Sequence, residues 1–586
     1  MNLGTFAALS DDRETSALSA GEFAKLRAVQ AVVTVASAFS LVWFFNATLE
    51  DAHITFRYAR NMALGWGFGV WNEGAPAVEG FTSTLWTLLI YAGFKLGLSP
   101  FALAKMLGWL AYVAAPLACC AAWSRWPLRR VDSARTARPD WLLYAAVVFT
   151  LYLPFSWYAL SGMEATAFYA ELTLLLLVPW LFARRSGRVV ASVVLSSLLV
   201  VSRPEGVLLA AIGNLHQYVV EPKERSVLAR PSFWGLGSAG AAILLLTAFR
   251  YLHFGEFVPN TYFAKGHGGP SHVVQGFIYV ADCLLSTFPV ALVVIFALVK
   301  KRRLLADRSF RVLLGSVLLY GAYMIKVGGD PKSAFPMWRH VVHLAPLWVF
   351  LFARCLEALF TQFRAGVLGL ALALFVCDAT VVARQRDLLV RDPLASLRRF
   401  GPFTNEPPLE LFSWLAPFTS SDTLSAVVLG GQWPYYTHGR FIDMLGLTDA
   451  HVAKFGKFAK FGPVDSKTDV PHVLSRHPDV IDGYLDPVAL ERGACPPQMT
   501  GFRAEMLGQL IASPIFRDHY YFVTNAPYHS FARAIFVKDS FYERSQSAGM
   551  QAVRVTDTAL YRGDCVADAP PNTAAKILAR LGMPVR

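Results

Sequence analysis

Residues 141–160, WLLYAAVVFTLYLPFSWYAL, form an apolar run of 20 residues without a charged side chain. A helix needs about 20 apolar residues to cross a bilayer core, so this run predicts a membrane span. Ten further runs share its apolar character, and together they predict a polytopic α-helical membrane protein with about eleven transmembrane helices. The other runs are residues 28–47, 101–123, 165–183, 189–201, 206–220, 233–252, 278–299, 312–326, 340–353 and 365–383.

The composition of the whole chain supports this class. Of the 586 residues 55% are hydrophobic and only 16% are charged, which is less charge than soluble proteins of this size contain. The net charge of +13 is explained by Lys and Arg in cytoplasmic loops. The sequence contains no nucleic-acid-binding motif, so no nucleic-acid partner is predicted.

The basic residues also predict the topology. With the N-terminus inside, the predicted cytoplasmic loops contain 22 Lys and Arg and the outer loops contain 6, so the C-terminus is predicted to lie outside. The shorter run 84–97 would reach roughly 21 Å as a helix and is predicted to be re-entrant or interfacial. We therefore expect a multi-pass membrane protein with a cytoplasmic N-terminus, and the family resemblance described below implies that this membrane is the bacterial inner membrane.

A change in composition near residue 384 predicts two domains. Residues 1–383 would form the membrane bundle, with a first outer loop at 48–83, and residues 384–586 an exported soluble α+β domain. In an oxidising compartment Cys495 and Cys565 could form a disulfide.

Polar residues are concentrated at the predicted outer ends of the helices. Charged groups at the membrane edge are costly unless they are paired or functional, so several such segments on one face predict a single site. The segments are LEDAHITFRYARN (49–61), SGME (161–164), SRPEG (202–206), PNTYFAK (259–265), GGD (328–330) and RH (339–340).

This pattern resembles the GT-C superfamily of membrane glycosyltransferases, in particular the bacterial terminal β-(1→2)-arabinofuranosyltransferase and flagellar-motility-protein-like family. The resemblance rests on these segments and on DMLGLTD (443–449) in the exported part. It implies transfer of a sugar from a polyprenyl-phosphate donor. The family opens its first loop with two aspartates, whereas this chain has Glu50 and Asp51, which leaves open which carboxylate is catalytic.

The reaction that the resemblance implies needs a base and a cation. A carboxylate can take the proton of an acceptor hydroxyl, so Asp51 is predicted as the general base, supported by Glu50. The alternative is that both are solvated loop acids. Arg339 is predicted to hold the donor phosphate because its guanidinium can bind phosphate through two bonds. Additional charge is predicted from His340, Lys265 and Arg203.

Structural roles compete with these assignments. For Arg339 and His340 the alternative is that their side chains snorkel to the membrane edge. For Arg203 the alternative is a structural pair with Glu205. Glu50, Asp51 or Asp330 would ligate a divalent cation such as Mg²⁺ or Mn²⁺ if one is used. The remaining polar residues are predicted to bind substrate: Arg57, Arg60, Asn61, Glu79, Glu164, Glu205, Asn260, Tyr262 and Asp330.

The predicted function is an inverting transfer of a sugar to an exported glycan, lipid or protein, and the resemblance favours arabinofuranose. A nucleotide donor is disfavoured because no P-loop and no dinucleotide-binding fingerprint is present. One alternative is a transporter or flippase for a lipid-linked sugar. The other is a non-catalytic membrane scaffold for the envelope or for motility, in which the exported domain binds a partner.

Overall fold

A computed structural model gives the fold of most of the chain. The described residues are 18–44, 48–126, 129–130, 136–221, 226–265, 270–330, 339–360, 363–384, 409–428, 430–458, 467–483, 502–527 and 534–562. Cys495 and Cys565 lie outside these residues, and their predicted disulfide stays a prediction.

The first part of the chain is a bundle of α-helices, and each predicted apolar run contains a helix. The helices are α1 (Ala20–Phe44), α2 (Glu50–Ala63), α3 (Thr84–Lys95), α4 (Pro100–Ser124), α5 (Trp141–Leu151), α6 (Leu153–Leu160), α7 (Ala165–Leu181), α8 (Arg185–Ser202), α9 (Gly206–Val220), α10 (Pro231–Phe254), α11 (Asn260–Lys265), α12 (Pro270–Ser286), α13 (Phe288–Lys300), α14 (Arg308–Val327), α15 (Arg339–His343), α16 (Ala345–Leu359) and α17 (Phe363–Arg384). Short 3₁₀ helices at Val227–Ala229 and Arg302–Ala306, and a ribbon of β1 (Arg129–Arg130) with β2 (Thr136–Ala137), lie in the connections.

Several of these helices are long and apolar enough to cross a membrane. Among the described residues five helices satisfy this alone, namely α1, α4, α8, α10 and α14, and up to seven spans result if the bent pairs α5–α6 and α12–α13 each count as one. The chain is therefore a multi-pass membrane protein, whereas the predicted number of eleven spans and the orientation stay predictions. Helix α3 has 12 residues, as expected for a segment too short to span.

The charge-free run 141–160 lies at the centre of the bundle. Residues Trp141–Thr150 of α5 are all buried, because α5 packs between α1, α4 and α16. The run bends by 56° between α5 and α6. Pro154 lies in the first turn of α6, where its missing N–H removes no helical hydrogen bond.

The last part of the chain combines short helices with a mixed sheet. Its helices are α18 (Leu409–Leu415), α19 (Gln432–Tyr436), α20 (Ala450–Phe455), α21 (Val470–Ser475), α22 (Phe502–Ala512), α23 (Pro514–His519), α24 (Asp539–Gln546) and α25 (Ala559–Arg562), with 3₁₀ turns at Ala416–Phe418 and Val555–Asp557. Its strands are β3 (Leu424–Val427), β4 (Arg440–Asp443), β5 (Lys457–Phe458), β6 (Lys467–Thr468), β7 (Val480–Asp482), β8 (Tyr520–Val523), β9 (Ile535–Lys538) and β10 (Ala552–Arg554).

Six of these strands form one sheet in the order β10-β8-β9-β7-β3-β4, while β5 and β6 form a separate antiparallel pair. Strand β3 is parallel to β4 and β7, and the other pairs of the sheet are antiparallel. The predicted division of the chain near residue 384 stays a prediction, because residues 385–408 lie outside the described part.

The two faces of the sheet are covered by different parts of the chain, since neighbouring strand residues point to opposite faces. Ala426 and Ile442 face helices α21, α22 and α23. Val427 and Phe441 belong to a second cluster that includes side chains of the first outer loop. Those loop side chains are Ile54, Tyr58, Trp71 and Phe81. The sheet is therefore anchored to the membrane part through the first outer loop.

Candidate active site

The first outer loop is held against the turn after α6. The backbone N–H of Leu49 donates to the Ser161 carbonyl at 2.9 Å, and Trp86 Nε1 donates to the Gly162 carbonyl at 3.0 Å. Gly162 has a φ of 83°, and a Cβ there would lie 3.1 Å from the Ala52 side chain. A glycine is therefore required for the start of α2 to approach this turn.

This approach places Asp51 in an ion-pair triad. Arg339 Nη2 lies 3.0 Å from Asp51 Oδ2 and 3.2 Å from Asp330 Oδ2. Asp330 follows a C-terminal turn of α14 in which Gly328 and Gly329 have φ values of 81° and 71°. The Asp51 side chain is 44% exposed, the Arg339 side chain 16% and the Asp330 side chain 9%. Asp51 is thus the member of the triad that a solvent-borne group can reach.

The predicted metal ligands are arranged differently from a cation site. The Arg339 guanidinium lies between the carboxylates of Asp51 and Asp330, where a bridging cation would have to be. Glu50 Oε1 instead accepts the backbone N–H groups of Gly431 at 2.6 Å and Gln432 at 3.2 Å. Metal binding by these three acids stays a prediction that this geometry does not favour.

A second buried network surrounds Arg203. Its Nε donates to Glu205 Oε1 at 2.6 Å, and its Nη1 is paired with Glu164. The alternative role considered for Arg203, a structural pair with Glu205, is therefore observed. Burial by itself would lower the pKa of Arg203, but Glu205 and Glu164 raise it above its usual range. Burial would likewise raise the pKa of Glu205, and Arg203 together with His343 holds it well below its usual range.

The remaining predicted cations differ in their contacts. The hydroxyl of Tyr320 lies 3.3 Å from His340 Nδ1, so this histidine has a polar partner inside the protein. Lys265 is exposed at the end of α11 and forms no ion pair within the described ranges. Nothing in the structure brings Lys265 into contact with the triad.

Arg57 and Arg60 connect α2 to the C-terminal part of the chain instead of pointing at a ligand. Arg57 is buried, donates to the carbonyls of Pro434 and Trp71, and lies over the rings of Trp71 and Phe441. Arg60 Nη1 donates to the Tyr435 carbonyl at 2.8 Å. We define the latch as Glu50, Arg57 and Arg60 together with residues 431–436.

Two further predicted substrate residues donate to backbone carbonyls inside the protein, and a third is exposed. Asn61 Nδ2 donates to the carbonyls of Val70 and Trp71 at 3.1 and 3.0 Å. Asn260 Nδ2 donates to the carbonyls of Gly446 and Leu447 at 2.8 and 2.9 Å. The Tyr262 side chain is 46% exposed and remains accessible to a ligand.

Glu79 forms a buried, bidentate pair with Arg250. The Arg250 Nε lies 2.8 Å from Glu79 Oε2, and its Nη2 lies 2.9 Å from Oε1. Burial raises the pKa of Glu79, and Arg250 opposes this shift. Arg250 was not among the predicted site residues, although a lone arginine within the apolar run 233–252 is a signal that it has a partner.

The DMLGLTD segment forms a turn that closes on itself. Asp443 accepts the N–H groups of Leu445 and Thr448, each at 2.9 Å, and Asp449 accepts two N–H groups at the start of α20. Asn260 contacts this turn from the membrane part, as described above. His451 and His472 stack with their ring centroids 3.6 Å apart.

Comparisons with known proteins identify the fold. A family model described as a domain of unknown function (DUF8728) matches residues 402–543. No curated protein matches the chain.

Among solved structures, ArnT from Cupriavidus metallidurans bound to undecaprenyl phosphate has a TM-score of 0.50 at 13% identity, covering 88% of this chain and 98% of ArnT. The apo state of ArnT also has a TM-score of 0.50 at 13% identity, covering 89% of this chain and 99% of ArnT. The mycobacterial arabinofuranosyltransferase AftD has a TM-score of 0.46 at 14% identity. That alignment covers 89% of this chain and 40% of AftD, so the chain spans less than half of AftD. The two ArnT structures therefore confirm the predicted fold.

Proposed function

We propose that this protein is a GT-C glycosyltransferase that moves a sugar from a polyprenyl-phosphate donor to an exported acceptor, with inversion at the anomeric carbon. The observation that carries the proposal is the triad of Asp51, Arg339 and Asp330, which combines an exposed carboxylate with a guanidinium at the start of α15. The undecaprenyl phosphate in the ArnT structure supports a donor of this class.

The triad has the parts that such a reaction needs. An incoming phosphate would compete with Asp51 for Arg339, and binding it would release the Asp51 carboxylate. Asp51 would then accept the proton of the acceptor hydroxyl while the hydroxyl oxygen attacks the anomeric carbon. The bond from that carbon to the phosphate oxygen breaks, and the leaving polyprenyl phosphate takes both electrons. Asp330 would keep Arg339 in place throughout.

A single displacement of this kind inverts the anomeric carbon. The resemblance noted in the sequence favours arabinofuranose as the sugar and an exported glycan, lipid or protein as the acceptor. The exposed Tyr262 and Lys265 on α11 are the residues we propose to contact the donor or the acceptor, because both side chains are accessible.

The test is transfer of a radiolabelled sugar from synthetic polyprenyl-phosphate donors by the purified protein in detergent. Asp51→Asn should lower the transfer rate by about 10²–10⁴-fold, the range for loss of a general base. Glu73→Gln is the matched control, because Glu73 is an exposed acid of the same loop. Well-folded protein without transfer from any donor, or equal rates for the two variants, would favour the transporter or scaffold alternatives.

A further inference from the structure

Behind the triad lies a compact group of side chains that the proposed reaction does not use for proton transfer. Glu205, His340 and His343 each place one potential ligand atom so that all three atoms lie within 4.8 Å of one another. We call them the Glu-His-His cluster. The two histidines are three residues apart on α15, a spacing that places them on the same face of a helix.

One member of the cluster lacks the hydrogen bonds that a buried imidazole normally makes. His343 is fully buried, and neither of its ring nitrogens has a hydrogen-bond partner among the described residues. Its Nδ1 lies 3.1 Å from Glu205 Oε1, but the contact does not have the geometry of a hydrogen bond. Leaving a buried polar group without a hydrogen bond costs about 1–3 kcal/mol. A ligand bound to the His343 ring would remove this cost.

The charge around the cluster also favours a cation. Glu164 and Glu205 surround the single guanidinium of Arg203, which leaves one negative charge in excess. The contacts of Glu205 with Arg203 and His343 are all made through Oε1. Its second oxygen, Oε2, has no ion pair or hydrogen bond in the described part of the chain, so it can serve as a ligand while Oε1 stays on Arg203.

We propose that the Glu-His-His cluster binds one divalent transition-metal ion, with Zn²⁺ as the best match. Two imidazoles and one carboxylate form a ligand set that suits Zn²⁺, with a fourth position left for water or an anion. Ligand atoms around a tetrahedral zinc ion are roughly 3.3 Å apart, so the observed spacing of up to 4.8 Å requires a contraction of at most about 1.5 Å. The ion would satisfy His343 and connect α15, which carries Arg339, to the start of α9.

The first test measures metal content and does not involve a sugar donor, so its result is independent of the proposed glycosyl transfer. Tag-free protein, purified in detergent without chelator and given a slight excess of ZnCl₂, should retain about one zinc per chain after desalting. His343→Gln and Glu205→Gln should each lower this content at least tenfold. His216→Gln is the matched control, because His216 is also a buried histidine but bonds to the Ser309 hydroxyl.

A second measurement identifies the ligands and does not depend on the folding of a variant. X-ray absorption of the zinc-loaded wild-type protein should show two imidazoles and oxygen ligands at about 2.0–2.1 Å. Zinc-free protein with no uptake at micromolar zinc would overturn the proposal. A histidine-free zinc environment, or equal zinc loss in the His216 control, would overturn it as well.

Discussion

The latch and the triad begin at neighbouring residues of one helix, but their charged groups have different kinds of partner. Glu50 directs its carboxylate to backbone N–H groups of residues 431 and 432, whereas the next residue, Asp51, meets the guanidinium of Arg339. In the latch, the charged groups bond to backbone atoms of the C-terminal part and hold it against α2. In the triad, charged side chains face one another, and one carboxylate stays exposed.

The type of partner therefore separates structural from chemical residues within the same loop. A charge bonded to backbone carbonyls or amides has no alternative partner of equal strength, so its bonds persist. A charge paired with an exposed side chain such as Asp51 can exchange that partner for a ligand that carries the same charge as the partner. A fully buried pair such as Glu79 and Arg250 cannot make this exchange. Under this criterion Arg57 and Arg60 belong to the latch, and Arg339 is the cation best placed to exchange Asp51 for a phosphate.

The largest expected effect concerns the buried pair that supports the first outer loop. Glu79→Gln should lower the stability of the protein by about 3–5 kcal/mol, because it leaves the buried Arg250 without a counter-charge. Thermal unfolding in detergent measures the loss, with Glu73→Gln as the exposed control. The double variant Glu79→Leu/Arg250→Met should recover most of the stability. If Glu79→Gln and the Glu73→Gln control unfold at the same temperature, the Glu79–Arg250 pair does not stabilise the protein.

The next effect is the difference between an Arg→Lys substitution in the triad and one in the latch. Arg339→Lys keeps the charge but loses the planar, two-point contact with phosphate, so transfer should fall about 100-fold while thermal stability changes little. Arg57→Lys should lower the thermal stability and change the transfer rate little, because the Arg57 guanidinium bonds to backbone carbonyls. Transfer rates and melting temperatures of both variants measure this contrast. Equal loss of activity in both would contradict the separation.

The comparison also explains what the sequence could predict. Apolar runs such as 141–160 locate helices because burial of a continuous charge-free stretch depends only on local composition. The concentration of polar segments at one end of the bundle likewise pointed to one region. The triad members Asp51, Arg339 and Asp330 were all among the predicted residues, and the structure brings them together.

The partners of individual charges could not be predicted. Arg57 and Arg60 contact carbonyls more than 370 positions away, and sequence spacing carries no information about such pairs. Glu50 and Asp51 are chemically alike, and only the positions of residues 431–432 and of Arg339 distinguish them. His343 was missed as well, although its spacing of three from His340 on a short helix was a usable signal.

Glu50→Gln tests the distinction between the two neighbouring acids. The glutamine oxygen can still accept the N–H groups of Gly431 and Gln432 but without charge, so docking of residues 431–436 on α2 should weaken by about 1–2 kcal/mol. Transfer should stay within a few-fold of wild type, in contrast to Asp51→Asn. Hydrogen exchange of residues 431–436 in the two variants measures the docking. A loss of transfer as large as that of Asp51→Asn would make Glu50 the base.

The smallest expected effect is a pH dependence of the latch through His53. Burial lowers the pKa of His53 to about 4, opposed by the carbonyls of Leu49 and Glu50 and reinforced by the charge of Lys105. When the latch opens and His53 meets water, its pKa returns to about 6.5. The open state then binds a proton first as the pH falls, so docking is strongest above pH 6.5 and is lost progressively towards pH 4.

Between pH 7.5 and 5.5 this linkage should weaken docking by about 1 kcal/mol. The measurement is hydrogen exchange of residues 431–436 as a function of pH, corrected for the intrinsic exchange rate. His53→Phe keeps the ring among Phe56, Phe101 and Tyr435 but cannot titrate, so its corrected protection should be flat over this range. An equal pH slope in this variant would mean that another group controls the latch. A flat profile would show that the acid sensitivity of the contact originates in the one histidine between Glu50 and Arg57, on the helix that also carries Asp51.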